Sequence, residues 1–426
     1  MSRIEDHPLR YPLANELHAR PFPTVRAPAR AAYLALKPAE NAAGRDRGAD
    51  LNHLKLLLDR YGTAHPQPGA THFSGQIGKH HLKWESHTEF VTYTIFGEGL
   101  ADRPFDAATF ALFPQEWLDA APGVRMTSAL IRVETLDDPN EIPAKVADWF
   151  VPESLAISSV LDGELVVAGD FRIDAGGHTR FAVFAKPDTG DRRTGRVVQR
   201  LCEIETYKAM SMLGLSTVRD LGAEMAAIDA RLTHLVDNMA GDAADPATVL
   251  QDLLATSAEL ENIVSRTSFR FGATGAYETI VNQRIGVLRE ERFMGRQTFG
   301  EFMMRRFDPA MRTVKSTQAR LQAMSDRAVR ASDLLRTRVD VERSAQNQEL
   351  LTSMDKRADL QLRLQKTVEG LSVVAISYYA VNLVLYVLGP LGVALDMSKT
   401  TIAALATPIV LLGVWAMVQR IRKHME

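Results

Sequence analysis

The longest apolar runs lie toward the C-terminal end. Residues 371–395 read LSVVAISYYAVNLVLYVLGPLGVAL and residues 400–418 read TTIAALATPIVLLGVWAMV, both without a formal charge. About 20 apolar residues are needed to cross the hydrocarbon core as a helix, so each run predicts one membrane span. Gly389-Pro390, Asp396 and Lys399 between them predict a short turn and an antiparallel hairpin. Lys356, Arg357, Arg363 and Lys366 precede the first span and Arg420, Arg422 and Lys423 follow the second, while the turn offers Lys399. Basic flanks stay on the cytoplasmic side, so both chain ends are expected there. Within the first span Ser372, Tyr379, Asn382 and Tyr386 recur at helical spacing and share one stripe. An asparagine amide in lipid needs a partner, so the stripe is expected to face another helix, as a packing contact or as a polar path for ions.

Upstream, residues 191–366 carry a helical period. Leu221, Met225, Ile228, Leu232, Leu235 and Met239 form a heptad-like seam. Asp245-Pro246 fits an N-cap followed by proline at the first helical position, and opens a second helix that should pack antiparallel to the first. Gly272 and Gly275 predict a break before a third helix over 277–306. Asp308-Pro309 opens a fourth, with Val314, Leu321, Met324, Ala328, Leu335 and Val339 on one face. No proline or glycine stands between Pro309 and Gly370, so this helix is expected to run into the first span.

Residues 30–190 alternate instead between strand-like and helix-like stretches. Residues 31–36, 90–96, 126–134, 165–173 and 180–185 read as strands, rich in β-branched and aromatic residues. Leu51, Leu54 and Leu58 mark a short helix, and 110–120 another. The expected architecture is an α+β N-terminal domain with a mostly antiparallel sheet, then a long-helix bundle or coiled coil, then a C-terminal two-helix transmembrane hairpin. The boundaries fall at 1–29 (an extended arm), 30–190, 191–366 and 367–426.

Composition narrows the function classes. A formal net charge of -2 over 426 residues argues against a nucleic-acid partner. The single cysteine, Cys202, excludes an intrachain disulfide and a cysteine-based zinc site. The N-terminal stretch, charged at Arg3, Glu5, Asp6 and Arg10, does not read as a secretory signal. Arginines are dense over 289–343, suited to anionic head groups or an acidic partner, but interleaved acids read better as a solvated coiled-coil surface.

Candidate chemistry is sparse. His80, His81 and His87 with Glu85 and Glu89 are the densest set of possible metal ligands, yet on a strand His81 and His87 stand about 20 Å apart. No metal or cofactor is therefore assigned. His18 and Arg20, in the polar segment 7–21, form with His87 a possible N-terminal site; an arm clamped onto the domain is the plainer reading. Residues 186–196 lack the GxxxxGK[ST] spacing of a phosphate loop. Glu203 and Glu205 do not share a helical face, which makes them a poor acid–base pair.

The opening DHPLRYPLANELHARPFP, the stretch KWESHTEF at 83–90, the helix EIETYKAMSMLGL at 203–215 and the final hairpin together resemble a proteobacterial family of uncharacterised membrane-anchored proteins, a domain of unknown function. The resemblance covers essentially the whole chain. It implies a bacterial inner-membrane protein and brings no catalytic residues. The order of elements also resembles CorA-type magnesium channels, which implies a homo-oligomeric ring with the first span lining a pore. The Gly-Met-Asn signature of those channels is missing: Gly389-Pro390 stands near its place and Asn382 lies deeper. Two functions are carried forward: a membrane-anchored, cytoplasm-facing scaffold or interaction protein with an unidentified protein partner, and a CorA-like divalent-cation channel or transporter.

Overall fold

The structure is a computed structural model that describes residues 4–16, 21–40, 42–239, 245–394 and 398–425. Its helices are α1 (Arg10–Glu16), α2 (Arg47–Arg60), α3 (Gln115–Asp119), α4 (Ile142–Trp149), α5 (Asp191–Met239), α6 (Pro246–Gly286), α7 (Phe299–Arg306), α8 (Asp308–Ala394) and α9 (Lys399–Met425). Its strands are β1 (Ala29–Lys37), β2 (His72–Ile77), β3 (His80–Ser86), β4 (Val91–Glu98), β5 (Val124–Thr135), β6 (Ala156–Val160), β7 (Leu165–Ile173), β8 (Thr179–Ala185) and β9 (Glu291–Arg292). Two compact units result, one of Met1–Asp242 with Gln251–Ala331 and one of Ala243–Leu250 with Ser332–Glu426.

In the first unit a nine-stranded sheet runs in the order β2-β3-β4-β1-β5-β8-β7-β6-β9. Every pairing is antiparallel except β5 with β8. Side chains alternate across a strand, so β1 sends Ala32, Leu34 and Leu36 into a core with Leu54, Leu57 and Leu58 of α2 and Trp117 of α3. Further along the sheet α4 covers Val166, Ala182 and Phe184 with Ile142, Val146 and Trp149. The opposite face of β1 presents Tyr33, whose hydroxyl bonds that of Thr206 on α5. The first part of α5 thus lies on the second face, and the sheet is the middle of three layers.

Helices α5, α6 and the start of α8 extend this layer as a bundle. Leu221, Met225 and Ile228 of α5, Leu253, Leu260 and Ile263 of α6, and Val314, Leu321 and Met324 of α8 are all buried. The predicted cap at Asp245 is present, its carboxylate accepting from Thr248 N at 3.1 Å. The predicted break at Gly272 and Gly275 is not: α6 runs through both. A glycine costs a helix roughly 1 kcal/mol, and packing outweighs that here. At Gly214 the two helices approach so closely that a Cβ would stand 2.4 Å from Thr274 Oγ1. Some of the arginines over 289–343 find acids: Arg320 and Arg327 both grip Asp229, at 2.7 and 2.6 Å, and hold it below the usual carboxylate range.

The second unit holds most of α8 and all of α9. Among the described residues two helices are long and apolar enough to cross a membrane, with mean hydropathy of 2.0 and 2.1 over their most apolar stretches. Helix α8 passes through Gly389-Pro390, expected to open the turn, and continues to Ala394. A membrane helix tolerates the missing proline N–H where local partners satisfy the backbone. Among the described residues of the two spans only Ser377, Ala406 and Val414 are buried. The arm before β1, expected to be extended, contains the short helix α1.

Candidate functional site

The strongest concentration of interior polar groups lies between the β3–β4 end of the sheet and helices α5 and α6. Alternation on β3 points Leu82 and Trp84 into the apolar core and turns Lys83 and Glu85 toward α5. His87 follows the end of β3. Helix α5 supplies Gln199, Glu203 and Tyr207 at steps of four, one above the other on one face. Arg284 arrives from the end of α6. Glu85, His87, Gln199, Glu203, Tyr207 and Arg284, with Phe22 of the arm and Arg200, line a cleft of about 240 Å³, and Lys83 lines the neighbouring pocket.

The groups bind one another in series. Lys83 Nζ donates to Gln199 Oε1 at 2.6 Å and stands 3.3 Å from Glu85. Gln199 Nε2 donates to Glu203 Oε1 at 2.7 Å, and Arg284 Nε donates to the other oxygen of Glu203. Arg200 donates to Val287 O at 3.1 Å; burial first, then Arg196 and Arg284, lower its pKa. His87 stacks on Phe90 with centroids 4.4 Å apart, and its Nδ1 lies 3.5 Å from Tyr207 Oη.

A second lock adjoins the first. Glu89, wholly buried, accepts from both terminal nitrogens of Arg270 and from Tyr277 Oη at 2.9 Å. Burial and then the Glu89 charge push the Tyr277 hydroxyl well up, so it stays protonated and donates. Lys37 is lowered by burial and by Arg270. A buried charge is tolerable only when paired and hydrogen-bonded, and both carboxylates meet that condition. Cys202 lines the same region, but burial pushes its thiol far above the ordinary range, which leaves no thiolate for nucleophilic work.

Of the residues singled out in the sequence, His87 belongs to this cleft, whereas His18 and Arg20 lie outside the described residues. The histidine–carboxylate set disperses: His81 bonds Ser74 at 2.9 Å, Glu85 faces Lys83 and Glu89 faces Arg270. Among the described residues no group of three or more His, Cys, Asp or Glu is placed to hold a metal ion. Glu203 and Glu205 diverge as their spacing requires, the latter meeting Lys208 at 2.8 Å. Gln199, Arg200 and Arg284 were not singled out; the Gln199–Glu203–Tyr207 ladder was the one signal available. In the first span Tyr379 and Tyr386 are 69% and 84% exposed, Ser372 is exposed, and the half-buried Asn382 donates its amide to Tyr378 O at 3.1 Å.

The two stretches that meet across the cleft, 83–90 and 203–208, are among those that carried the family resemblance. A family model described as a protein of unknown function, DUF3422, matches residues 5–425. The chain belongs to that family. No curated protein matches it. Membership in DUF3422 therefore agrees with the resemblance over nearly the whole chain and brings no activity with it.

Proposed function

We propose that this protein is a membrane-anchored interaction protein, held in a bacterial inner membrane by α8 and α9, with its body and both termini on the cytoplasmic side. The observation that carries the reading is the exposure of the two apolar helices: 6% and 11% of their most apolar stretches are buried, whereas a core helix of similar composition would be covered. Basic residues on the outer flanks support the orientation. A scaffold role is supported by the cleft, whose charges are spent on one another and whose thiol is buried. The test is alkaline extraction of membranes carrying the full chain, followed by protease treatment of sealed spheroplasts. Retention in the pellet with an intact body is expected. Release into the supernatant ends the anchor reading, and digestion from outside reverses the orientation.

The channel reading is favoured by one observation, the outward placement of Ser372, Tyr379 and Tyr386 with Asn382 at their side. It predicts magnesium flux in sealed vesicles holding the full chain, altered by Asn382→Leu. Absence of divalent flux in well-reconstituted vesicles removes it.

A further inference from the structure

The part of α8 before the span is exposed on nearly every face, yet its sequence is not uniform around the axis. Leu350, Met354, Leu364 and Val368 recur with Ser372, Tyr379, Asn382 and Tyr386 at steps of three, four, seven or ten. At about 100° per residue all eight fall within a wedge about 80° wide. The stripe thus continues across the boundary between the polar segment and the membrane without changing face. Ser377, buried in the same span, lies on the opposite side.

Charge follows the same division. With Leu350 and Met354 as successive d and a positions of a heptad, Asp355, Lys356, Asp359, Arg363, Lys366 and Glu369 all take b, c or f places, the outer ones of a coiled coil. The flanking e and g places are neutral: Leu351, Ser353, Ala358, Leu360, Gln365 and Thr367. Arg357 and Gln361 are the polar residues on the seam upstream of the span.

We infer that this seam is a self-association surface, and that its occupant is the same face of a second copy of the chain, lying parallel and in register. The inference rests on the membrane-anchored reading. Copies inserted the same way stand side by side at one depth, so each seam residue meets its own counterpart. Asn382 then finds the asparagine of its neighbour, the partner that an amide in hydrocarbon requires, and one buried polar pair fixes the register. A stripe about 55 Å long and about 10 Å wide offers on the order of 550 Å² per copy, and its neutral flanks bring it toward the roughly 800 Å² of a stable interface.

Cysteine cross-linking in membranes tests this on the full chain. Cys202 is buried, which keeps the background low. Leu364→Cys and Val368→Cys on the seam are compared with Arg363→Cys and Lys366→Cys on the far side, under copper–phenanthroline oxidation. The seam variants are expected to give at least tenfold more disulfide-linked dimer. Equal cross-linking on both faces, or none on the seam, overturns the inference, as does a monomer of the unaltered chain by native mass spectrometry in nanodiscs. Alkaline extraction of the same membranes separates the two failures. Release of the chain defeats the anchor, while a retained chain without seam cross-links defeats only the seam.

Discussion

The sheet domain and the C-terminal helices solve the same problem, the placement of groups that do not suit water, in opposite ways. On the α5 face of the sheet Lys83, Glu85, Glu89 and Glu203 are drawn inside and each is answered by another group of the same unit. In the second unit Leu350, Leu364, Tyr379 and Tyr386 stay outside and nothing within that unit covers them. The first region is complete as a single chain. The second leaves apolar side chains that its own unit does not cover, and in the proposals above a bilayer and a second copy of the chain cover them. That contrast can be broken from either side.

The largest effect is expected at Glu89. Removing one member of a buried ion pair strands the other, at a cost of about 3–5 kcal/mol. Glu89→Ala leaves the Arg270 guanidinium, 17% exposed, beside an unanswered Tyr277 hydroxyl. The denaturant midpoint of the purified protein should fall accordingly. A change below about 1 kcal/mol would mean that water reaches this pair and that the sheet domain is not closed.

A smaller and gradual effect is expected from pH. Burial is the leading cause that lowers the pKa of His53, His80, His81 and His178. His53 shows why the neutral form is kept: its ring stacks on Trp117 at 4.0 Å and bonds Tyr93 Oη and Trp117 O. The folded chain therefore refuses protons that the unfolded chain accepts near the ordinary value of about 6.5. Stability is full above that pH and declines as pH falls through it. Unfolding curves at pH 7.5 and 5.5 check the sign; an unchanged midpoint would show that these imidazoles protonate freely in the folded state.

How much of this was legible in the sequence depended on whether the signal was local. The two long apolar helices, the Asp245 cap and the unbroken α8 follow from periodicity and caps, which neighbouring residues determine. The strands β1, β4, β5, β7 and β8 were readable because aromatic and β-branched residues cluster there. The β2–β3 hairpin was not, since His72, His80, His81 and Lys83 mask its alternation with polar side chains, of which Lys83 is answered by Gln199 of α5. The cleft joins residues more than 100 positions apart, such as Lys83 with Gln199, and no local pattern announces such a pairing. The Gly272 and Gly275 misreading has the same origin: helix propensity is local, while the close approach of Gly214 to Thr274 is not.

The smallest effect is expected on the outer face of α8, and its smallness is informative. Asp359 and Arg363 stand 3.5 Å apart one turn from each other, 68% and 78% exposed. Exposed pairs of this kind contribute well under about 1 kcal/mol, because water and salt screen them. Asp359→Ala should shift stability by no more than about 0.5 kcal/mol, and it should leave self-association untouched, since position 359 lies opposite Leu364 and Val368 on the helix. A loss of more than about 1 kcal/mol, or a weakened assembly, would mean that the charged face is covered too. The helix would then be surrounded rather than paired along one side, and the division between an inward seam and an outward charged face would have to be redrawn.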